Sequence, residues 1–246
     1  MVGVLLLAHG GCRGKDLPAP AGSTPGTVQP AVPVATAPVV SHDAPDARIA
    51  KPAASPDFVD ITAIDSSIRI DMRYATPDNF TGVAVYPVAR CLLRREVAKR
   101  LARVHEKLGK RGLGLKLWDC YRPVAVQKRF WQLVPDPRYV AEPVIENGVA
   151  ISGSKHNRGA AVDLTLVDAH GAELEMPTAH DDFTERAHRS YRGTGPAARK
   201  NTEILEKAMA AEGFIPLPTE WWHFDGPDWQ RYPLEDVPLD VTLDVP

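Results

Sequence analysis

The sequence contains no long apolar run, no excess of either charge and only three cysteines in 246 residues. No stretch approaches the roughly 18 apolar residues that span a bilayer, which excludes an integral helical membrane protein. The 29 basic residues nearly balance the 31 acidic ones, for a net charge of −2. There is thus no basic field to recruit nucleic acid or anionic lipid. Proline, by contrast, is abundant and uneven: of 23 prolines, nine lie between Pro18 and Pro56 and the remaining fourteen are spread over residues 57–246. The chain reads as a short leader (1–16), a linker (17–56) and one folded domain (57–246), long enough to bury a core.

Residues 1–12, Met-Val-Gly-Val-Leu-Leu-Leu-Ala-His-Gly-Gly-Cys, place a short apolar run before small residues and a cysteine. The pattern is that of a bacterial lipoprotein signal, with Cys12 as the residue lipidated after cleavage. It lacks a basic n-region, and His9 interrupts it. The expectation is an exported protein, periplasmic or tethered in the cell envelope, or a cytoplasmic one if the leader does not operate. Residues 17–56 carry no aromatic side chain and no helical or strand period. Such a segment cannot bury enough apolar surface to offset its ordering entropy, so it is expected to be a disordered, extended tether. With Cys12 so used, Cys91 and Cys120 remain as a disulfide or as two thiols.

Beyond residue 56 the pattern turns regular. Phe58-Val-Asp-Ile-Thr62 and Ile68-Arg-Ile-Asp-Met-Arg-Tyr74 alternate apolar and polar residues, predicting two strands joined by a polar turn at Asp65-Ser-Ser67. Leu93, Val97, Leu101, Val104 and Leu108 recur at helical spacing, with Gly109 as a stop. Leu115 to Asp119 reads as a strand, and Pro123 opens a helix carrying Val126, Phe130 and Leu133. Residues 161–167 alternate again, setting Val162, Leu164 and Leu166 against Ala161, Asp163 and Thr165. A last helix over 198–212 ends at Gly213. Without a βαβ rhythm, the expected class is α+β, with a largely antiparallel central sheet covered by helices.

Two segments carry chemistry: Ser154-Lys-His-Asn-Arg-Gly-Ala-Ala-Val-Asp163 and Glu220-Trp-Trp-His223. Together they offer two imidazoles and a carboxylate, the ligand mix of a catalytic zinc site with one open position. Gly159 allows the bend that returns His156 beside Asp163. Glu220 and His223 would point to opposite faces of an ideal strand, so a shared site needs a twist or bulge there. Taken singly, a His flanked by Trp is most often a structural residue, and His-x6-Asp recurs by chance. His105 and His188 sit among polar residues and read as solvated.

In combination, Ser-x-His-x-x-Gly-x-Ala-x-Asp followed by Glu-x-Trp-His resembles the zinc D,D-peptidases of bacterial cell-wall peptides. Tyr74-Ala-Thr-Pro-Asp-Asn-Phe-Thr-Gly82, Leu117-Trp-Asp-Cys-Tyr-Arg-Pro123 and Asp181-Asp-Phe-Thr-Glu185 narrow the resemblance to the D-alanyl-D-alanine dipeptidases, over residues 58–235. The resemblance implies a zinc D,D-peptidase fold and one Zn²⁺ per chain, held by His156, Asp163 and His223. It also implies Glu220 as catalytic base and Arg122 as the cation facing the developing oxyanion. Asp181 would meet the substrate ammonium, with Ser154 and Tyr74 holding the dipeptide. These roles agree with the chemistry: zinc lowers the pKa of water to about 7, a carboxylate can relay its proton, and a guanidinium stabilises charge that appears in the transition state.

The chain departs from that family pattern in three places. Cys120 stands where a glycine is usual, bringing a thiol near the metal. His180 replaces an aromatic residue, leaving Asp181 or neighbouring Asp182 as the ammonium partner. The stretch 135–152, which closes the site in the dipeptidases, is short. The expected function is zinc-dependent hydrolysis of D-alanyl-D-alanine, serving wall-peptide salvage or turnover rather than glycopeptide resistance. The alternatives are a D,D-carboxypeptidase on longer wall peptides and a non-catalytic zinc-bearing wall-binding lipoprotein. The small dipeptide is the one molecular partner implied, beside a lipid anchor at Cys12; nothing in the sequence points to a protein partner.

Overall fold

A computed structural model describes residues 57–243; the leader, Cys12 and the linker lie outside the described residues. The central sheet is built from β2 (Arg69–Ile70), β4 (Leu113–Asp119), β7 (Ala161–Asp168), β9 (His223–Asp225) and β8 (Ile215–Pro216), in the order β2-β4-β7-β9-β8. Only β2 and β4 run parallel; every other neighbouring pair is antiparallel. β1 (Phe58–Asp60) pairs with β3 (Leu92–Arg94), and β5 (Val144–Glu146) with β6 (Val149–Ser152). Helices α1 (Ile61–Ile64), α2 (Arg95–Gly109), α3 (Val124–Leu133) and α4 (Pro196–Ala210) complete an α+β architecture.

The periodicities explain most of this arrangement. The stripe Val97, Ala98, Leu101, Val104 and Leu108 of α2 is buried. It shares one core with Leu115 and Leu117 of β4 and with Val162, Leu164 and Leu166 of β7. α2 is one residue longer than its expected stop: Gly109 is still helical, and the left-handed residue is Gly112 at φ +70°. The two strands expected over 58–62 and 68–74 form, but shorter, as Phe58–Asp60 and Arg69–Ile70. Asp60 ends β1 by accepting from the Thr62 amide, which starts α1, and the two short strands join different sheets. Asp65 accepts from the Ser67 amide in the turn between them. After β2 the chain tightens into a single 3₁₀ turn, Arg73–Ala75, whose Tyr74 is buried.

Cys91 and Cys120 form a disulfide. It ties the residue before β3 to the residue after β4, and both cysteines are buried. The thiol expected beside the metal is therefore engaged elsewhere.

Candidate metal and substrate site

The site forms where three strands are in register. Asp119 of β4 stands opposite Asp163 of β7, and Asp163 opposite His223 of β9. The first pairing depends on a bulge: between Leu117 and Asp119 the register shifts by one, so Trp118 is the extra residue. Bulges of this kind re-aim side chains beside active sites. Here the bulge brings Asp119 onto the face that already carries Asp163.

His156 arrives from the 3₁₀ turn Lys155–Arg158. Ser154 caps that turn through its side chain, and Asn157 closes a reciprocal capping box. Gly159 ends it at φ +67°, with the Phe58 ring filling the space a Cβ would need. The Asn157 amide also donates to the Arg122 carbonyl at 2.7 Å, joining this turn to the loop after β4.

Hydrogen bonds fix the imidazole tautomers. Nδ1 of His156 donates to the Cys120 carbonyl at 2.7 Å, leaving Nε2 with a lone pair. Nε2 of His223 donates to Asp225 Oδ1 at 2.9 Å, leaving Nδ1. These two nitrogens are 3.1 Å apart. Asp163 Oδ1 lies 3.0 Å from His223 Nδ1 and 3.4 Å from His156 Nε2. Three acceptors aimed at one point need a shared cation, and the edges of this triangle match the ~3.3 Å expected between tetrahedral ligands about 2.0–2.1 Å from zinc. Among the described residues these three form the group that could hold a metal ion.

The electrostatics of the protein alone fit the same conclusion. Burial disfavours the His223 cation, but its bonds to Asp163 and Asp225 push the ring up to about 10. Burial likewise opposes the Asp163 charge, yet His156, His180 and His223 hold its carboxyl well below the usual range. A cation is thus favoured at this point whether it is a proton or a metal.

Glu220 does not share a strand with His223. It sits in the turn before β9, where its amide bonds to the Leu217 carbonyl, and its Oε2 lies 4.0 Å from His223 Nδ1. The expected conflict of strand faces therefore does not arise. Burial pushes the Glu220 carboxyl upward; His223 opposes that shift, and Asp163 and Asp181 add to it. Arg122 is buried, with its guanidinium bonded to Asp119 Oδ2 and, at 2.9 Å, to Gln127 Oε1. It stacks on Phe130 at 4.6 Å, while Asp119 also accepts from the Tyr86 hydroxyl.

All eight residues expected at the site, Tyr74, Arg122, Ser154, His156, Asp163, Asp181, Glu220 and His223, line one cavity of about 230 Å³. Asp181 accepts from the Tyr74 hydroxyl at 3.1 Å and stands at φ +61°. Burial pushes its carboxyl upward. Asp182 instead accepts from the Thr184 amide in an exposed turn. The segment 135–152 contributes Tyr139 and Ala141 to the cavity wall and continues into the β5–β6 hairpin. His105 and His188 lie outside the metal cluster, and His105 accepts from the Leu115 amide while bonding Ser67.

Sequence reasoning missed Asp119, Asp225 and Arg189. Asp225 had a signal, since a residue two positions from His223 on a strand shares its face. Arg189 had none. Its guanidinium donates to the Leu217 carbonyl at 2.8 Å and the His223 carbonyl at 2.9 Å, clamping the loop that carries Glu220.

An α+β sheet that gathers two imidazoles and a carboxylate, with a further carboxylate and a guanidinium in the same cavity, has the groups of a hydrolytic metal site. The chain belongs to the D-ala-D-ala dipeptidase family, whose model matches residues 54–242, and is a peptidase hydrolase. It is 39% identical over 178 residues to the D-alanyl-D-alanine dipeptidase of Escherichia coli (strain K12), covering 72% of this chain and 89% of that protein. The D-alanyl-D-alanine dipeptidase of Enterococcus faecalis (strain ATCC 700802 / V583) is 36% identical over 171 residues, 64% of this chain and 85% of that one. That of Streptomyces coelicolor (strain ATCC BAA-471 / A3(2) / M145) is 35% identical over 182 residues, 68% and 90% respectively.

Proposed function

We propose that this protein is a zinc-dependent dipeptidase that hydrolyses D-alanyl-D-alanine to two D-alanines outside the cytoplasmic membrane. The observation that carries the reading is the convergence of His156 Nε2, Asp163 Oδ1 and His223 Nδ1 within 3.0–3.4 Å of one another. The names of the relatives supply the substrate. A zinc ion on these three groups would polarise the scissile carbonyl and lower the pKa of a water to about 7.

The chain's own groups then divide the work. Glu220 Oε2 takes the proton of the attacking water and delivers it to the leaving amine nitrogen. Arg122 spends three N–H donors on Tyr86, Gln127 and Asp119, so each terminal nitrogen keeps one N–H for the oxyanion. Asp181, oriented by the Tyr74 hydroxyl, meets the substrate ammonium. Burial and the Asp181 charge hold the Tyr74 phenol well above its ordinary value, so it stays a donor. Ser154 Oγ accepts from the His156 amide and keeps its own O–H for the dipeptide. Phe80, Phe183 and Trp222 wall the cavity and exclude water.

Export is supported by the Cys91–Cys120 disulfide, because such bonds persist in oxidising compartments. With Cys12 lipidated and residues 17–56 as a tether, the enzyme would act on wall turnover products, in salvage rather than in resistance. Purified protein incubated with D-alanyl-D-alanine should release two D-alanines per dipeptide, lose that activity to a chelator and regain it with zinc. Turnover that survives complete metal removal overturns the reading.

A further inference from the structure

His180 is buried beside the site, and the steps of hydrolysis give it no task. Its side chain is 6% exposed, and its Nε2 lies 3.5 Å from Asp163 Oδ2 and 3.5 Å from Asp181 Oδ1. Asp163 belongs to the proposed ligand set and Asp181 to the proposed substrate pocket, so one ring nitrogen stands between the two. The oxygen it meets on Asp163 is the one turned away from the cluster, since Oδ1 faces His156 and His223. Among the described residues, His180 is the side chain that bonds Oδ2.

Neighbouring residues of an extended chain point their side chains to opposite faces. His180 and Asp181 nevertheless reach the same point, with Asp181 turned into the left-handed region at φ +61°, which residues other than glycine enter infrequently. The ring is held by aromatic neighbours: it stacks on Trp118 at 4.8 Å and meets Trp222 edge-on at 5.4 Å. Tyr74, the other donor to Asp181, has its ring 6.0 Å away. Two buried carboxylates so close repel one another, and a donor placed between them offsets that repulsion. With carboxylate oxygens on the Nε2 side, the imidazole carries a proton on Nε2. His180 does not line the cavity that holds the cluster, so it acts through the two carboxylates rather than on the substrate.

We propose that His180 is a positioning residue whose Nε2–H is shared by Asp163 and Asp181, holding Asp163 with Oδ1 toward His156 and His223 and Asp181 toward the substrate amine. This rests on the zinc and Asp181 assignments of the proposed function.

Two substitutions separate the N–H from the ring. His180→Phe keeps an aromatic ring against Trp118 and removes the donor, whereas His180→Gln removes the ring and keeps an N–H at similar reach. Zinc affinity is read by competition with a chelator, and kcat and KM are measured for D-alanyl-D-alanine at saturating zinc. His180→Phe should weaken zinc binding about 10–100-fold, the usual cost of losing a partner of a metal ligand, and raise KM at least fivefold with kcat within threefold. His180→Gln should stay within threefold of wild type in zinc affinity and in KM. A ring that matters only for packing gives the reverse order of the two variants, and that result overturns the proposal. So do equal losses in both variants, a loss confined to zinc affinity or to KM alone, and a His180→Phe protein that matches wild type. If His180→Phe does not fold, imidazole nitrogen NMR of the zinc-loaded wild type decides: a proton on Nε2 of His180 supports the proposal, and a proton on Nδ1 alone overturns it. Wild type that binds zinc and cleaves the dipeptide while these tests fail leaves the dipeptidase reading intact. Wild type that binds no zinc overturns both.

Discussion

At the scale of single residues, the proposed metal ligands depend on the groups that orient them. Asp225 holds the His223 ring and is itself held by Lys155 Nζ. Partners of this kind typically change metal affinity 10–100-fold. Asp225→Asn should therefore weaken zinc binding by that factor, read by competition with a chromophoric chelator; unchanged affinity would remove Asp225 from the site. The raised His223 ring gives a second expectation. With its folded value near 10, set against burial by the bonds to Asp163 and Asp225, the ring is protonated in the metal-free protein at neutral pH. Zinc must displace that proton, so affinity falls as pH falls. Calorimetric titration at pH 7.5 in two buffers of different ionisation enthalpy should show release of about one proton per zinc, and no buffer dependence would contradict this.

At the scale of elements, the site depends on short irregular pieces set against a regular sheet. The turn that carries His156 ends at Gly159 in the left-handed region, where an added Cβ would meet Phe58 Cε1 at 2.3 Å. Gly159→Ala combines backbone strain with this clash and should lower stability by about 2 kcal/mol or more, measured by denaturant unfolding. A loss under 0.5 kcal/mol would show that Phe58 moves aside freely. The same contrast explains what was legible beforehand. The stripe of α2, the alternation of β7 and the caps of α3 and α4 followed from period and proline or glycine chemistry. The clustering of His156, Asp163 and His223 was expected from the two motifs and the family resemblance they carry, and Asp163 fell on the predicted face. The bulge at Trp118, which brings Asp119 opposite Asp163, leaves no mark in the local pattern because register is set by the partner strand. The first expected strand, 58–62, stops at Asp60 for a local reason, since Asp60 caps a helix that alternation alone does not reveal.

At the scale of the whole molecule, a catalytic domain stapled by a disulfide follows a proline-rich stretch and a candidate lipidation cysteine. If Cys12 carries lipid, native protein should partition with membranes, and Cys12→Ser should move it to the soluble fraction with activity per molecule unchanged. An equal distribution of the two would remove the tether from the account. In the proposed mechanism the chemistry rests on Glu220, which stands beside His156, Asp163 and His223 without joining their cluster: its Oε2 is 4.0 Å from His223 Nδ1. General-base carboxylates contribute about 10²–10⁴-fold to rate. The decisive measurement is kcat for D-alanyl-D-alanine in wild type and Glu220→Ala, with zinc content determined in the same samples. The account predicts one zinc per chain in both proteins and a kcat at least a hundredfold lower in the variant. A zinc-loaded variant that turns over as fast as wild type would contradict it.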